Sequence, residues 1–223
     1  MALHNRIIML GKTGCGKGAQ ASILTERMGI KDISAGELLR TEIKTGSELG
    51  KEIAERIDHG LLVSTDLIVR LMVQEFLSPE NEKGFISDGF PRSLDQAEIF
   101  DKLQNEDPRF LDKKIDLVLY IDVPDECIFE RTLGRIQCTK CGAFYHEKFK
   151  PTKVAGVCDV CGGTEFAKRA DDTEEAVVSK LRVFREATAP LIPYYENKGL
   201  LVRVDGTGSI DAVSERIKEI VKY

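Results

Sequence analysis

Apolar positions along this chain fall into two kinds of run. Five short segments read as strands, at residues 6–10, 31–33, 84–87, 116–121 and 200–204, most of them continuous apolar runs. Arg6-Ile7-Ile8-Met9-Leu10 and Asp116-Leu117-Val118-Leu119-Tyr120-Ile121 are typical. Unbroken apolar runs predict strands covered on both faces, as in a parallel sheet; half-exposed strands alternate instead. Between them the spacing becomes that of amphipathic helices, near 17–28, 36–44, 47–58, 65–77, 93–105, 124–132, 173–195 and 209–221. Thr65-Asp66, Asp172-Thr173 and Ser209 offer capping oxygens at helix starts. Strand alternating with helix predicts an α/β fold around a doubly wound parallel sheet. Two stretches break the alternation. Residues 34–63 hold two helical patterns with no strand between them, and residues 134–170 are rich in Gly, Cys, Pro and Lys without a helical period. Both read as insertions carried by the core.

The first predicted strand runs straight into Gly11-Lys12-Thr13-Gly14-Cys15-Gly16-Lys17, and a helical pattern follows. This G-x-x-x-x-G-K string is a phosphate-binding loop, or P-loop. Its glycines let backbone N–H groups converge on phosphate oxygens, the next helix points its positive end at them, and Lys17 adds a point charge. The hydroxyl residue that usually follows the lysine is missing, because Gly18 stands there. Magnesium must then be held another way. Asp88-Gly89-Phe90-Pro91-Arg92 follows the third strand, at the carboxyl end where open α/β sheets bind ligands. There Asp88 can hold Mg²⁺ through water and Arg92 can clamp a phosphate. Arg40 lies one helical turn into the first insertion, Arg131 and Arg135 stand at the entry to the second, and Arg169 with Asp171-Asp172 marks its exit.

Six cysteines in a chain of this kind suggest metal or reactive thiols before disulfides. Cys138-x-x-Cys141 and Cys158-x-x-Cys161 form two pairs with 16 residues between them, each followed by glycine. Such spacing predicts a closed four-thiolate site, with Zn²⁺ as the default ion and Fe or Co also compatible. Without an open position, the ion's role is structural, holding a small β-rich insertion that has little core of its own. Cys15 is either a small filler in the loop or a thiol activated by Lys17.

Length and charge narrow the rest. At 223 residues the chain can bury one good core, and a formal charge of −5 gives no global case for nucleic acid or an anionic membrane. Any anion site must be a local cluster of arginines. No apolar run reaches membrane-spanning length, and the run at 6–10 is too short for a signal peptide, so the cytoplasm is expected.

Taken together, the chain resembles the adenylate kinases of the long type with a metal-binding LID. The resemblance spans essentially the whole length. It rests on Gly11–Gln20, Ser34–Arg40, Asp88–Arg92 with Gln96, Arg131-x-x-Gly134-Arg135, the four cysteines, Tyr145-His146-x-x-Phe149, Arg169-x-Asp171-Asp172 and Ala189–Ile192. It implies a CORE of 1–33, 64–133 and 170–223, an AMP-binding domain at 34–63, a zinc LID at 134–169, and strand order 2-3-1-4-5. The activity it implies is reversible Mg²⁺-dependent transfer from ATP to AMP, giving two ADP, by a monomer. The implied ATP site is Lys17 with the loop at Gly14, Cys15, Gly16, Gly18 and Ala19, together with Arg131, Arg135, Tyr145 and Phe149. Arg131 and Phe149 would sandwich the adenine. The implied AMP site is Ala35, Arg40, Gly89, Arg92 and Gln96, with Arg169 and Lys180 reaching the transferred group and Asp88 holding hydrated Mg²⁺.

The chain departs from the family pattern in places. Thr13 stands for a common proline, Ala19 for a threonine, and Lys180 for an arginine, which keeps the charge and loses the planar fork. Ala35 stands where these enzymes often carry threonine and pyrimidine kinases tend to carry alanine, while Gln96 points to adenine. A pyrimidine or broad-specificity monophosphate kinase is therefore one alternative. Others are a zinc-ribbon nucleic-acid-binding module and a weakly catalytic nucleotide sensor.

Overall fold

A computed structural model describes residues 4–58, 63–169 and 172–222. Positions 59–62 of the helical insertion, and residues 170 and Asp171 at the exit of the cysteine insertion, lie outside the described residues.

Five parallel strands form the central sheet: β1 (Arg6–Leu10), β2 (Lys31–Ser34), β3 (Phe85–Asp88), β4 (Leu117–Asp122) and, last in the chain, β8 (Leu201–Asp205). Their order is β2-β3-β1-β4-β8. That is the expected 2-3-1-4-5, with the fifth core strand numbered eighth because three short strands intervene. Helices cover both faces. They are α1 (Lys17–Met28), α2 (Ala35–Thr45), α3 (Glu48–Asp58), α4 (Thr65–Phe76), α5 (Leu94–Glu106), α6 (Asp125–Leu133), α7 (Glu174–Val183), α8 (Leu191–Asn197) and α9 (Ile210–Val221).

Each face buries its own core. On one, Phe76, Phe85, Phe90, Phe100 and Phe110 pack with Ile8, Leu10 and Val118, and Phe76 stacks on Phe85 with ring centroids 4.2 Å apart. On the other, Ile7, Met9, Ala21, Leu24, Leu117 and Leu119 pack against Val213 and Ile217. Each fully buried side chain of this size contributes about 1.5–3 kcal/mol. The strand ends that carry the P-loop and Asp88 are thereby held from both sides.

The stretch at 134–169 folds as a small antiparallel sheet of β5 (Arg135–Cys138), β6 (Phe144–His146) and β7 (Phe166–Ala167), in the order β6-β5-β7. Its core comprises Cys138, Tyr145 and Cys158. The stretch beginning at 34 is α2 and α3 packed back to back. They approach closely at Gly50, where a Cβ would stand 2.4 Å from the Glu42 carbonyl oxygen.

Two expectations need correction. The single helix expected over 173–195 is broken: α7 ends at Val183, residues 184–188 form a π-helical turn, and α8 begins at Leu191. Pro190 has no N–H to continue an α-helical ladder, and the Ala189 N–H turns back to the Phe184 carbonyl at 2.7 Å. Thr65 is inside α4 rather than capping it, and Ser64, the flanking residue, makes no side-chain cap. Thr173 and Ser209 do cap, each accepting an N–H three residues on, from Ala176 and Ala212, at 3.2 Å.

Candidate functional site

β1 delivers the chain to the sheet's carboxyl edge, where it turns through the P-loop. Gly14 (φ +84°) and Gly16 (φ +109°) occupy backbone conformations that L side chains rarely adopt. Helix α1 then starts with no acidic residue in its first turn and no side-chain cap, so its free N–H groups face the loop. Lys17 curls over the loop and donates from Nζ to the carbonyls of Gly11 at 2.8 Å and Lys12 at 2.9 Å. Cys15 is buried in the core below, with its Sγ 3.8 Å from Lys17 Nζ. A side chain at Gly18 would meet nothing within 4 Å, so the missing hydroxyl is not forced by packing. Lys12, which sequence reading passed over as a variable loop position, anchors the loop to the start of α6. Its Nζ donates to the Val123 carbonyl at 2.8 Å and pairs with Asp125 at 2.6 Å.

Arg131, near the end of α6, joins three elements. It donates to the carbonyl of Cys15 at 2.9 Å and to that of Gly206 at 2.9 Å, and its guanidinium lies 5.7 Å from the Phe149 ring centre. An intervening base needs two contact distances, about 7 Å, so the pair must part slightly to take one. His146 fixes this corner. Its Nδ1 accepts the N–H groups of Lys148 at 3.0 Å and Phe149 at 3.3 Å, and its Nε2 donates to the Glu130 carbonyl at 3.1 Å. Gly134 makes room for the ring.

Two expected ATP contacts are placed differently. Arg135 forms a two-pronged pair with the fully buried Asp172 carboxylate, its Nε donating at 2.9 Å, and so ties the insertion's entry to its exit. Tyr145 is buried, and its hydroxyl takes the Asp159 N–H at 2.8 Å and lies 3.3 Å from Cys158 Sγ. Its side chain belongs to the cysteine cluster, leaving only its backbone to meet a nucleotide.

Across the sheet edge, Asp88 ends β3 beside Met9 on one side and Ser34 on the other. Arg92 folds back over Gly89 (φ +80°), donating from Nε to the Gly89 carbonyl at 2.9 Å. A Cβ at Gly89 would stand 2.8 Å from the guanidinium. The Arg92 backbone is held from both ends: its N–H meets Gln96 Oε1 at 2.7 Å and its carbonyl accepts the Thr188 hydroxyl at 2.8 Å. Gln96 thus supports Arg92 with its oxygen. Arg40 lies over Gly36. Arg92 stays open to solvent at its tip, yet the protein around the cleft floor lowers its guanidinium pKa; Asp88 opposes this and Arg40 adds to it. Asp32 on β2 is also open on one side. Protein on its other sides, then Asp88 and Glu37, push its carboxyl up to about 7. Ala35 is buried in the aromatic core. Arg169 sits half-buried at the insertion's exit, and Lys180 on α7 reaches a small cavity bordered by Thr13 of the loop.

The four cysteines do come together. All four Sγ atoms lie within 4.8 Å of one another, with Cys138–Cys161 at 3.7 Å and Cys141–Cys158 at 3.5 Å. Thiolates bound to one tetrahedral ion at about 2.3 Å stand roughly 3.8 Å apart, so the donor set fits Zn²⁺. Gly142 (φ +78°) and Gly162 (φ +69°) close the two turns, each returning its N–H to the first cysteine's carbonyl at 2.9 Å.

Comparison with known proteins bears on this arrangement. A family model described as adenylate kinase matches residues 9–200. The chain is similar to the adenylate kinase of Methanosarcina barkeri, 44% identical over 216 residues, covering 97% of this chain and 98% of that protein. It is 43% identical over 217 residues to that of Caldicellulosiruptor saccharolyticus, covering 97% of each. It is 44% identical over 216 residues to that of Archaeoglobus fulgidus, again covering 97% of each.

Proposed function

The chain belongs to the adenylate kinase family, and from that premise we propose that it transfers the γ-phosphoryl group of ATP reversibly to AMP, giving two ADP. The observation that carries this reading is the convergence at one sheet edge of the P-loop and Lys17 with Asp88, Arg92 and Arg131. Phosphoryl transfer asks for in-line positioning and neutralised charge rather than a protein nucleophile. This site offers fixed cations and backbone N–H groups.

The residues divide the work. Lys17 and the backbone from Gly14 to Ala19 hold the ATP phosphates, trading the Lys17 contacts to Gly11 and Lys12 for phosphate oxygens. Arg131 and Phe149 flank the adenine. Arg40 and Arg92 clamp the AMP phosphate, Gln96 orients Arg92 and its remaining amide faces the base, and Arg169 and Lys180 approach the transferred group. Arg135 reaches phosphate by leaving Asp172. Asp88 would hold hydrated Mg²⁺ through water, and the ion would supply charge neutralisation. The domains follow: a CORE of 1–33, 64–133 and 170–223, an AMP-binding domain at 34–63, and a LID at 134–169 that closes over the site and keeps water out. Cys138, Cys141, Cys158 and Cys161 would hold a Zn²⁺ ion that ties the LID together. The enzyme works as a monomer in the cytoplasm. Six cysteines without a disulfide suit a reducing compartment, and no helix among the described residues is long and apolar enough to cross a membrane.

The relatives match 97% of the chain, not the cysteine insertion alone, so neither the nucleic-acid module nor the sensor is favoured. The deciding assay is ADP formation from ATP·Mg²⁺ with AMP, UMP, CMP and GMP as separate acceptors. Fast turnover with AMP alone is expected. Turnover with UMP or CMP would show that Ala35 widens the acceptor pocket, and none with any acceptor would defeat the reading.

A further inference from the structure

Behind the P-loop, between α6 and α7, lies a small cavity lined by Thr13, Ile128, Thr132, Val177, Lys180 and Leu181, with no room for a water molecule. Thr132 is 1% exposed, and its hydroxyl oxygen is buried without a hydrogen-bond partner. That oxygen is pressed against the loop: a Cβ built on Gly14 would stand 2.5 Å from it. Threonines inside helices often return the hydroxyl to the carbonyl four residues back, but this one does not.

A buried hydroxyl without a partner is disfavoured relative to an apolar group of the same shape. Valine would fill this place as well, so packing gives no reason for threonine. The neighbours do. Arg131, one residue earlier, holds the loop's Cys15 carbonyl, and the hinge glycine Gly134 is two residues later. The same turn of α6 therefore meets the P-loop twice, once with a satisfied guanidinium and once with an unsatisfied hydroxyl.

We propose that Thr132 is a positioning residue of the P-loop. When the loop tightens around the triphosphate of ATP, the Thr132 hydroxyl hydrogen-bonds to it, at Thr13 or at the backbone around Gly14, and braces it from behind. Through Arg131 and Gly134 the same turn passes that tightening to the LID. This deepens the kinase reading and rests on it.

The test compares Thr132→Val and Thr132→Ser with the wild type in three measurements: thermal melting, the Kd for ATP·Mg²⁺ by calorimetry, and KM for ATP and for AMP. Thr132→Val should melt at a higher temperature yet bind ATP roughly fivefold more weakly, the worth of one neutral hydrogen bond. KM for ATP should rise in step while KM for AMP holds. Thr132→Ser, which keeps the hydroxyl, should bind ATP like the wild type. The proposal is overturned if Thr132→Val binds ATP as the wild type does, if ATP and AMP are weakened alike, or if serine is as poor as valine. A wild type that binds ATP but forms no ADP would defeat the kinase reading, and the Kd comparison would still decide Thr132.

Discussion

Replacing Gly134 with alanine tests the corner that joins the LID to the CORE. The backbone there has φ −88°, which any residue adopts, so the obstacle is the neighbour. A Cβ would stand 2.3 Å from His146 Nε2 and 2.6 Å from Cε1. The ring cannot step aside freely. It makes hydrogen bonds to Glu130, Lys148 and Phe149 and faces the Phe149 ring with centroids 4.7 Å apart. Hydrogen bonds contribute about 0.5–1.5 kcal/mol each, and at this partly exposed corner the lower end applies, so displacing the ring costs about 2 kcal/mol. Alanine restrains the unfolded chain and returns about 0.4–1 kcal/mol. The net loss is about 1 kcal/mol, or a fall of roughly 2–4 °C in Tm for a chain of this size. Because Phe149 shifts with the ring, KM for ATP should rise while KM for AMP stays. The decisive assay is a cycle of Gly134→Ala, His146→Ala and the double variant. Without the ring, alanine at 134 should be neutral or stabilising, giving a coupling of about 1–2 kcal/mol. Strictly additive losses would refute the steric argument.

Three further outcomes are expected. Arg92→Ala should leave the melting temperature within a few degrees of wild type but greatly reduce kcat/KM for AMP; near-normal turnover would end its role as phosphate clamp. Cys138→Ser, or chelation of the metal, should lower thermal stability and keep most activity at low temperature; inactive but fully folded protein would show that the ion is more than structural. Asp32, with its carboxyl raised to about 7, binds a proton more readily folded than unfolded, so its contribution favours the fold at low pH and is lost as pH rises through about 7. Asp32→Asn should flatten Tm against pH between about 4 and 7, the window between its unfolded and folded values, and an unchanged slope would show that solvent at its open side screens it.

Much of this architecture could be read from residue order because local and global signals agree. The apolar runs of β1, β3 and β4 became buried central strands, whereas β2 and β8 are edge strands with exposed positions, and the glycines of the P-loop and of the cysteine turns took up the positive φ values their positions required. What escaped reading depends on partners brought together only by folding. The helical period persists through Phe184 to Tyr195 and hid the break that Pro190 enforces. Tyr145 carries no local sign that its hydroxyl will meet Cys158, and Arg135 none that Asp172, 37 residues on, will hold it. Lys12 occupies a variable slot of the loop motif, and its anchor to Asp125 lies beyond three strands' worth of chain. Thr132 looks like an ordinary interior position of a short helix until Gly14 is packed against it.

The three-residue core of the LID, Cys138, Tyr145 and Cys158, has a thermodynamic consequence. Two of the three are metal ligands in the proposed site, and Ile136, Ala143, Cys161 and Phe166 pack against them only partly buried, so a bound ion would contribute much of what holds this body folded. Its opening free energy then follows RT ln(1 + [M]/Kd), while that of the aromatic core does not. Amide hydrogens of β5 and β6 should exchange at rates set by free metal concentration, and those of β1 and β4 should not respond. The molecule is in this sense two systems on one chain. One has its stability written in side-chain packing, and the other would take its stability from the chemical potential of a metal outside it.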